Sequence, residues 1–168
     1  MLQRIVIGNI ISLTASFFLF SGSITEKVKS VYLFGIFECI FLFIAQLFFG
    51  QGAAAVSLLI AAFRNLLLFL ERYTRPFFIT VFLATLFLGL FFNTGGTLGL
   101  LPLFATLIFT VTTYYAKEYI KVKLSLLLNL VLWTLYSLLI LDLSSTVINI
   151  TSSVLTVFSI LKHLKNNE

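Results

Sequence analysis

Charged residues are scarce in this chain: only 10% of its 168 residues are Asp, Glu, Lys or Arg. Soluble domains carry about 25%, so the chain lacks the charge needed to cover a water-facing surface. Its composition is 60% hydrophobic and includes 20 phenylalanines, and its mean hydropathy is +1.12. This composition excludes a soluble globular enzyme, a disordered tail and a nucleic-acid-binding domain. It predicts a polytopic membrane protein.

Cysteine and histidine are also nearly absent. Cys39 is the single cysteine and lies in an apolar run, which excludes a disulfide framework and a thiolate metal site. His163 is the single histidine, and the sequence contains no pair of acidic residues. Glu118 and Asp142 fall in predicted loops, where we expect them to point into water. We therefore expect no enzyme activity, no metal and no cofactor.

The chain does contain long apolar runs, separated by charges and turn signals. A transmembrane helix needs about 20 mostly apolar residues, and a barrel strand would alternate apolar and polar residues, which these runs do not. The sequence therefore predicts an all-helical bundle of seven spans, at residues 4–22, 30–49, 53–71, 76–92, 98–116, 121–141 and 144–162.

The basic residues between these spans predict an orientation, because Lys and Arg accumulate on the cytoplasmic side. One side receives Arg4, and the other receives Lys27, Lys29, Arg72, Arg75, Lys117, Lys121, Lys123, Lys162 and Lys165. We expect an extracytoplasmic N-terminus and a cytoplasmic C-terminus. The alternative is that residues 4–23 form a cleaved signal peptide with small residues at 21–23. That alternative would place four basic residues outside, so the charge pattern argues against it.

The layout of the spans suggests an internal repeat. A first three-span unit (1–72) and a second one (98–168, with a short basic tail) flank a linker helix and loop (73–97). An offset of 92 residues aligns their tight turns and places Lys29 on Lys121 and Ser57 on Asn149. Two three-span units need an extra crossing to share one orientation, and the fourth helix supplies it. The predicted fold is therefore two parallel three-helix units joined by a linker helix (3+1+3), as in some transporters.

The stretch AFRNLL at residues 62–67, with the short chain, resembles the bacterial YgjV-like inner-membrane proteins. The 3+1+3 layout also resembles the SWEET/MtN3 sugar facilitators and the PnuC vitamin transporters. In SWEET proteins an Asn in each third helix and a Trp in the second helix of the latter unit contact substrate. Asn149 and Trp133 match that pattern, whereas Ser57 stands at the position of the other Asn. The resemblance implies transport across the inner membrane.

Two charged residues fall inside predicted spans, where polar groups are costly. Glu38 lies eight residues from the start of the second span, and Arg64 lies eight residues before Arg72. At 1.5 Å per residue both are about 12 Å deep, on helices joined by a tight turn. We expect an intramembrane ion pair that clamps the two helices. The alternative is a substrate carboxylate or proton site.

Polar residues at helical spacing follow one face of several spans. Trp133 lies away from its usual interfacial belt, and a carboxamide needs several hydrogen bonds. Helix–helix packing is the alternative role for the hydroxyl residues. The candidate substrate-binding residues are Asn149, Trp133, Asn129, Ser57, Asn9 and Ser152.

Together these observations predict an integral membrane transporter or facilitator that moves a small polar metabolite, such as a sugar, nucleoside or vitamin-like solute. The alternative is a non-transporting membrane protein that has a structural role or binds a partner. The expected partners are the lipid bilayer and the solute, with no nucleic acid. Homo-oligomer formation, substrate identity and the direction of transport stay open.

Overall fold

Seven α-helices account for most of the chain in the computed structural model, which describes residues 2–116 and 118–166. Lys117, which the sequence places with the basic residues, lies outside the described residues. The helices are α1 (Leu2–Ile24), α2 (Val28–Phe49), α3 (Gly52–Phe69), α4 (Arg75–Phe91), α5 (Leu100–Tyr115), α6 (Tyr119–Leu139) and α7 (Leu143–Asn166). Each coincides with a predicted span to within a few residues, which confirms the all-helical architecture.

Five of these helices are long and apolar enough to cross a membrane, namely α1, α2, α3, α6 and α7. The other two are shorter, with 17 residues in α4 and 16 in α5. A turn precedes α5, in which Leu100 donates to the Thr97 carbonyl and Leu101 to the Leu98 carbonyl. These bonds extend the helical path of α5 toward the loop. Whether α4 and α5 cross the bilayer stays a prediction.

Six helices form a closed ring through their packing contacts. In order around the ring, α1 packs on α2, α2 on α3, α3 on α5, α5 on α6, α6 on α7, and α7 on α1. The α4 helix packs against both α3 and α5. Gly89 allows this approach, because a Cβ there would lie 2.5 Å from Leu103 Cδ1.

Small and aromatic side chains form the largest buried apolar cluster, which joins α2, α3, α5 and α6. Its members are Cys39, Ala54, Leu58, Ala61, Ala62, Ala105, Trp133 and Tyr136. Alanines allow close helix contact in a membrane bundle. Large apolar side chains cover the outside instead, including Phe17, Phe87 and Phe158. Such an exterior suits lipid rather than water.

Hydrogen bonds and ion pairs define the two ends of the bundle. At one end Lys29 pairs with Glu71 at 3.2 Å and Lys162 pairs with Glu26 at 3.0 Å. We call this the basic end, because its loops are flanked by the basic residues that the sequence assigns to the side opposite Arg4, as far as the structure describes them. At the opposite end the α2–α3 turn meets the α4–α5 loop through the bond from Gly52 N to Thr94 Oγ1.

A central polar cavity as the candidate functional site

A cavity lies inside the ring and is lined by residues from all six ring helices. The space inside it that the centres of water molecules can occupy is about 50 Å³. One water needs about 10–15 Å³ by that measure, so the cavity has room for several waters or a small solute. Its principal polar and aromatic lining residues are Tyr32, Glu38, Gln46, Arg64, Asn65, Asn129, Trp133 and Asn149.

Three of the six candidate substrate-binding residues meet in this cavity. Asn129 and Trp133 enter it from α6, and Asn149 enters from α7. The Trp133 indole is 8% exposed and packs edge-on against Tyr136 at 5.5 Å between ring centroids. Among the described residues, neither carboxamide has a side-chain hydrogen-bond partner. Both amides are therefore free to bind water or a solute.

The other three candidates lie outside the cavity lining. Ser57 is fully buried with an unbonded Oγ, and it faces α4, since a Cβ on Gly89 would lie 3.8 Å from that oxygen. Ser152 is also buried with an unbonded Oγ. The 92-residue offset that aligns Ser57 with Asn149 therefore pairs a residue packed at α4 with a residue of the cavity.

Asn9 joins α1 to the start of α7 rather than facing the cavity. Its Oδ1 accepts a bond of 3.2 Å from the backbone N–H of Ser144, and its Nδ2 donates to the Ile5 carbonyl at 3.0 Å. The first N–H groups of a helix have no partner within it. Asn9 thus satisfies one of them and has a structural role.

The predicted direct ion pair between Glu38 and Arg64 is not formed. Both residues line the cavity, and counted from the α2–α3 turn both lie roughly 17 Å deep at 1.5 Å per residue. Both residues therefore reach one cavity, but the equal depth of the two side chains stays a prediction. Within the described residues the ion pairs shorter than 4.0 Å join other groups, all of them exposed.

Arg64 is directed toward α5 and is only 2% exposed. Its Nη1 donates to Thr110 Oγ1 at 3.0 Å and to the Thr106 carbonyl at 3.5 Å. Its Nη2 and Nε donate to Asn65 Oδ1 at 3.1 and 3.4 Å. The guanidinium also lies over the Phe109 ring, 4.5 Å from its centroid. The cation is thus held by neutral acceptors and an aromatic face.

Two amides that sequence reasoning did not select also shape the cavity. Asn65 holds Arg64 through its oxygen, and its Nδ2 contacts Cys39 Sγ at 3.8 Å. Gln46 accepts a hydrogen bond of 3.2 Å from the Tyr136 hydroxyl, away from the basic end. Their chemical type is the sequence signal that could have identified them, because each is a carboxamide within a predicted apolar span.

Lys123 is buried, although the sequence placed it among the flanking basic residues. It is 0% exposed, and its Nζ donates to the carbonyls of Gly22 and Ser23 at 3.0 and 2.7 Å. These carbonyls belong to the last turn of α1, where a cation is favourable. Lys123 therefore ties α6 to the end of α1.

Asp142 does not point into water, which corrects the expectation for that loop. It is 0% exposed and accepts bonds from Ser145 N at 3.0 Å, Ser145 Oγ at 2.7 Å and Ser12 Oγ at 3.0 Å. The first of these is an N-cap of α7. Burial raises the pKa of the Asp142 carboxyl above its ordinary range, although the hydrogen bonds from Ser145 and Ser12 act in the opposite direction.

Within residues 2–116 and 118–166, no three His, Cys, Asp or Glu side chains lie close enough together to hold a metal ion. The chemistry available in the cavity is hydrogen bonding, charge and aromatic contact.

Comparison with known proteins identifies the family but not a particular relative. A family model described as bacterial inner membrane protein, Imp-YgjV, matches residues 6–167. No curated protein and no solved structure matches the chain. The match covers nearly the whole bundle, including every residue that lines the cavity. The chain therefore belongs to the YgjV family of bacterial inner membrane proteins.

Proposed function

We propose that this protein is an integral inner-membrane transporter or facilitator that passes a small polar metabolite through the central cavity. The observation that carries the proposal is that several cavity-lining side chains, among them Glu38, Asn129 and Asn149, have no hydrogen-bond or ion-pair partner among the described residues. Polar groups inside a membrane are costly and mark pathways or sites. Packing alone would not require these groups to face an open space.

The order of the helices supports the 3+1+3 arrangement as part of this proposal. The third helix of the first unit packs on the first helix of the second unit, and α7 packs on α1 in the same manner. Two parallel units related by an axis along the membrane normal would produce both contacts. The α4 helix then serves as the linker crossing.

The tight turns of the two units align at an offset of 92 residues. The cavity-lining positions on the second helix of each unit, α2 and α6, suggest a different offset. Glu38 and Trp133 are separated by 95 residues, and three other lining pairs have the same separation: Val31 and Leu126, Gly35 and Leu130, and Leu42 and Ser137. In this alignment Trp133 occupies in α6 the place that Glu38 occupies in α2. A pseudo-symmetric pathway would then carry an acid on one wall and an indole on the other.

Orientation and chemistry complete the proposal. The basic end faces the cytoplasm under the positive-inside rule, which places the N-terminus outside. As part of the proposal, we expect the protein to act without a cofactor and to catalyse no reaction. The lipid bilayer and the solute are its partners.

Uptake into proteoliposomes tests the proposal, using a panel of sugars, nucleosides, vitamins and amino acids. Asn149→Ala and Trp133→Ala should each lower the uptake of a transported solute severalfold, because each removes a cavity contact. Matched controls are Thr151→Ala and Phe63→Ala, which alter exposed side chains on α7 and α3. If no member of the panel enters the vesicles, the alternative of a structural or partner-binding membrane protein replaces transport.

A further inference from the structure

An acidic side chain, Glu38, and a basic one, Arg64, border one cavity without contacting each other. We infer that the cavity takes a small zwitterionic solute of the α-amino acid type, whose ammonium group binds Glu38 and whose carboxylate faces Arg64. This inference rests on the proposed function and narrows its solute class.

The charge of Arg64 is fixed in place but not neutralised. Four hydrogen bonds go to the oxygens of Asn65, Thr106 and Thr110, all of which are neutral acceptors. A guanidinium has five N–H groups, so one remains for a further acceptor. A carboxylate is the acceptor that matches a guanidinium best in charge and geometry.

Glu38 lacks a donor of any kind among the described residues. No hydrogen bond or ion pair reaches its carboxylate. It borders the main cavity and also a smaller one of about 10 Å³ between α1, α2 and α7, which Asn149 borders too. An ammonium placed there would supply the missing donors, and the Asn149 carboxamide oxygen could accept a further one.

The size and walls of the cavity favour a small zwitterion over a nucleoside or a polyol. The open space is about 50 Å³ for water centres, and apolar side chains such as Leu42 and Leu130 form much of the wall. A solute with only one charge would leave the opposite protein charge without a partner in a low-dielectric site. A neutral solute would leave the Arg64 guanidinium without a counter-charge and the Glu38 carboxyl without an ammonium donor.

Trp133 provides a direct measure of occupancy, because it is the single tryptophan of the chain and lines the cavity. The experiment titrates purified protein in detergent at pH 7 and records its tryptophan emission. The probes are glycine, L-alanine and L-leucine, with L-alaninamide as the cation, propionate as the anion and glycerol as the neutral solute. We expect a saturable change in tryptophan emission with at least one amino acid. Each single-charge analogue should bind at least about tenfold more weakly than that amino acid.

Glu38→Gln preserves the shape of the side chain and removes its ability to form an ion pair with an ammonium group, so it should weaken amino-acid binding by about tenfold or more. Glu71→Gln is the matched control, because Glu71 is an exposed carboxylate at the basic end. The comparison among probes uses the unmodified protein, and so it decides the question even if Glu38→Gln fails to fold.

The outcomes separate this inference from the proposed function. Equal responses to L-alanine and L-alaninamide, a response to glycerol alone, or no amino-acid response would each overturn the zwitterion inference. Uptake of a sugar or nucleoside in the vesicle assay would then leave transport in place. Saturable amino-acid binding without uptake of any solute would support the site and overturn transport.

Discussion

The Asp142 carboxylate accepts a hydrogen bond of 3.0 Å from the Ser12 hydroxyl, and this bond joins the α6–α7 turn to α1. The same carboxylate caps α7 through the Ser145 backbone N–H. One buried side chain thus stabilises both the start of a helix and the contact that closes the ring. Two other polar side chains, those of Lys123 and Asn9, also hold α1 in place.

Replacement of Asp142 by Ala should destabilise the bundle strongly. It removes an N-cap, worth about 0.5–2 kcal/mol, and leaves the Ser12 and Ser145 hydroxyls buried without this acceptor, at about 1–3 kcal/mol. Thermal unfolding in detergent measures the loss. Glu118→Ala is the control, since Glu118 is exposed and pairs with exposed Lys121. Equal losses for the two variants would contradict the role assigned to Asp142.

The buried Asp142 carboxyl should also make stability depend on pH. Burial raises its pKa in the folded protein above an ordinary value of about 3.9, so the folded state binds this proton more tightly than the unfolded state. This tighter proton binding contributes to the stability of the folded protein. The contribution is complete at pH values below the ordinary pKa and is lost as the pH rises through the raised pKa of the folded state. Relative to Asp142→Asn, the unmodified protein should gain stability as pH falls from 7 toward about 4. A constant difference in melting temperature between the two proteins across this range would contradict the prediction.

Lys123→Met should lower stability by about 1–3 kcal/mol, because the carbonyls of Gly22 and Ser23 lose their buried donor. Methionine retains a similar length and apolar stem, so the change reports mainly on the ammonium group. Lys121→Met offers a matched control two residues away, where the exposed pair with Glu118 is worth at most about 1 kcal/mol. Chemical or thermal unfolding of both variants should separate them clearly. Indistinguishable curves would rule out the capping of α1.

Thr110→Val should cost about 1–3 kcal/mol, since it deprives a buried guanidinium of its 3.0 Å acceptor. Thr112→Val is the control, because the Thr112 hydroxyl donates to carbonyls of its own helix, Ile108 and Phe109. That control should change stability by no more than about 0.5 kcal/mol. A double-mutant cycle with Arg64→Leu should show that the effect of Thr110→Val disappears when the guanidinium is absent. Additive losses would contradict a direct contact.

Reporter fusions before Leu2 and after Glu168 should give opposite signals, with the N-terminus outside and the C-terminus in the cytoplasm. The physical reason is the accumulation of basic residues at one end of the bundle. An odd number of crossings is required for opposite signals, so this experiment also tests whether α4 and α5 both cross. Both termini in one compartment would overturn the 3+1+3 arrangement.

The sequence by itself determined the helices and their approximate bounds. Runs of about 20 apolar residues must form helices in lipid, because every backbone polar group needs an internal partner. The rise per residue predicts a shared depth for Glu38 and Arg64 from one turn, and chemical type singled out Asn129, Trp133 and Asn149. The helices and the positions of polar residues along them depend on local sequence pattern and on covalent geometry. Local pattern and covalent geometry can both be inferred from the order of residues.

The tertiary structure alone decided which way each polar side chain points. Arg64 is directed toward α5 rather than Glu38, Ser57 toward α4, and Asn9 toward the start of α7. Asp142 and Lys123 were assigned to the aqueous ends, yet both are buried as helix caps. The direction of a side chain around a helix depends on which neighbours pack there, and that packing is set by contacts between residues distant in sequence. Periodicity identifies a polar face but not the helix or cavity that the face meets.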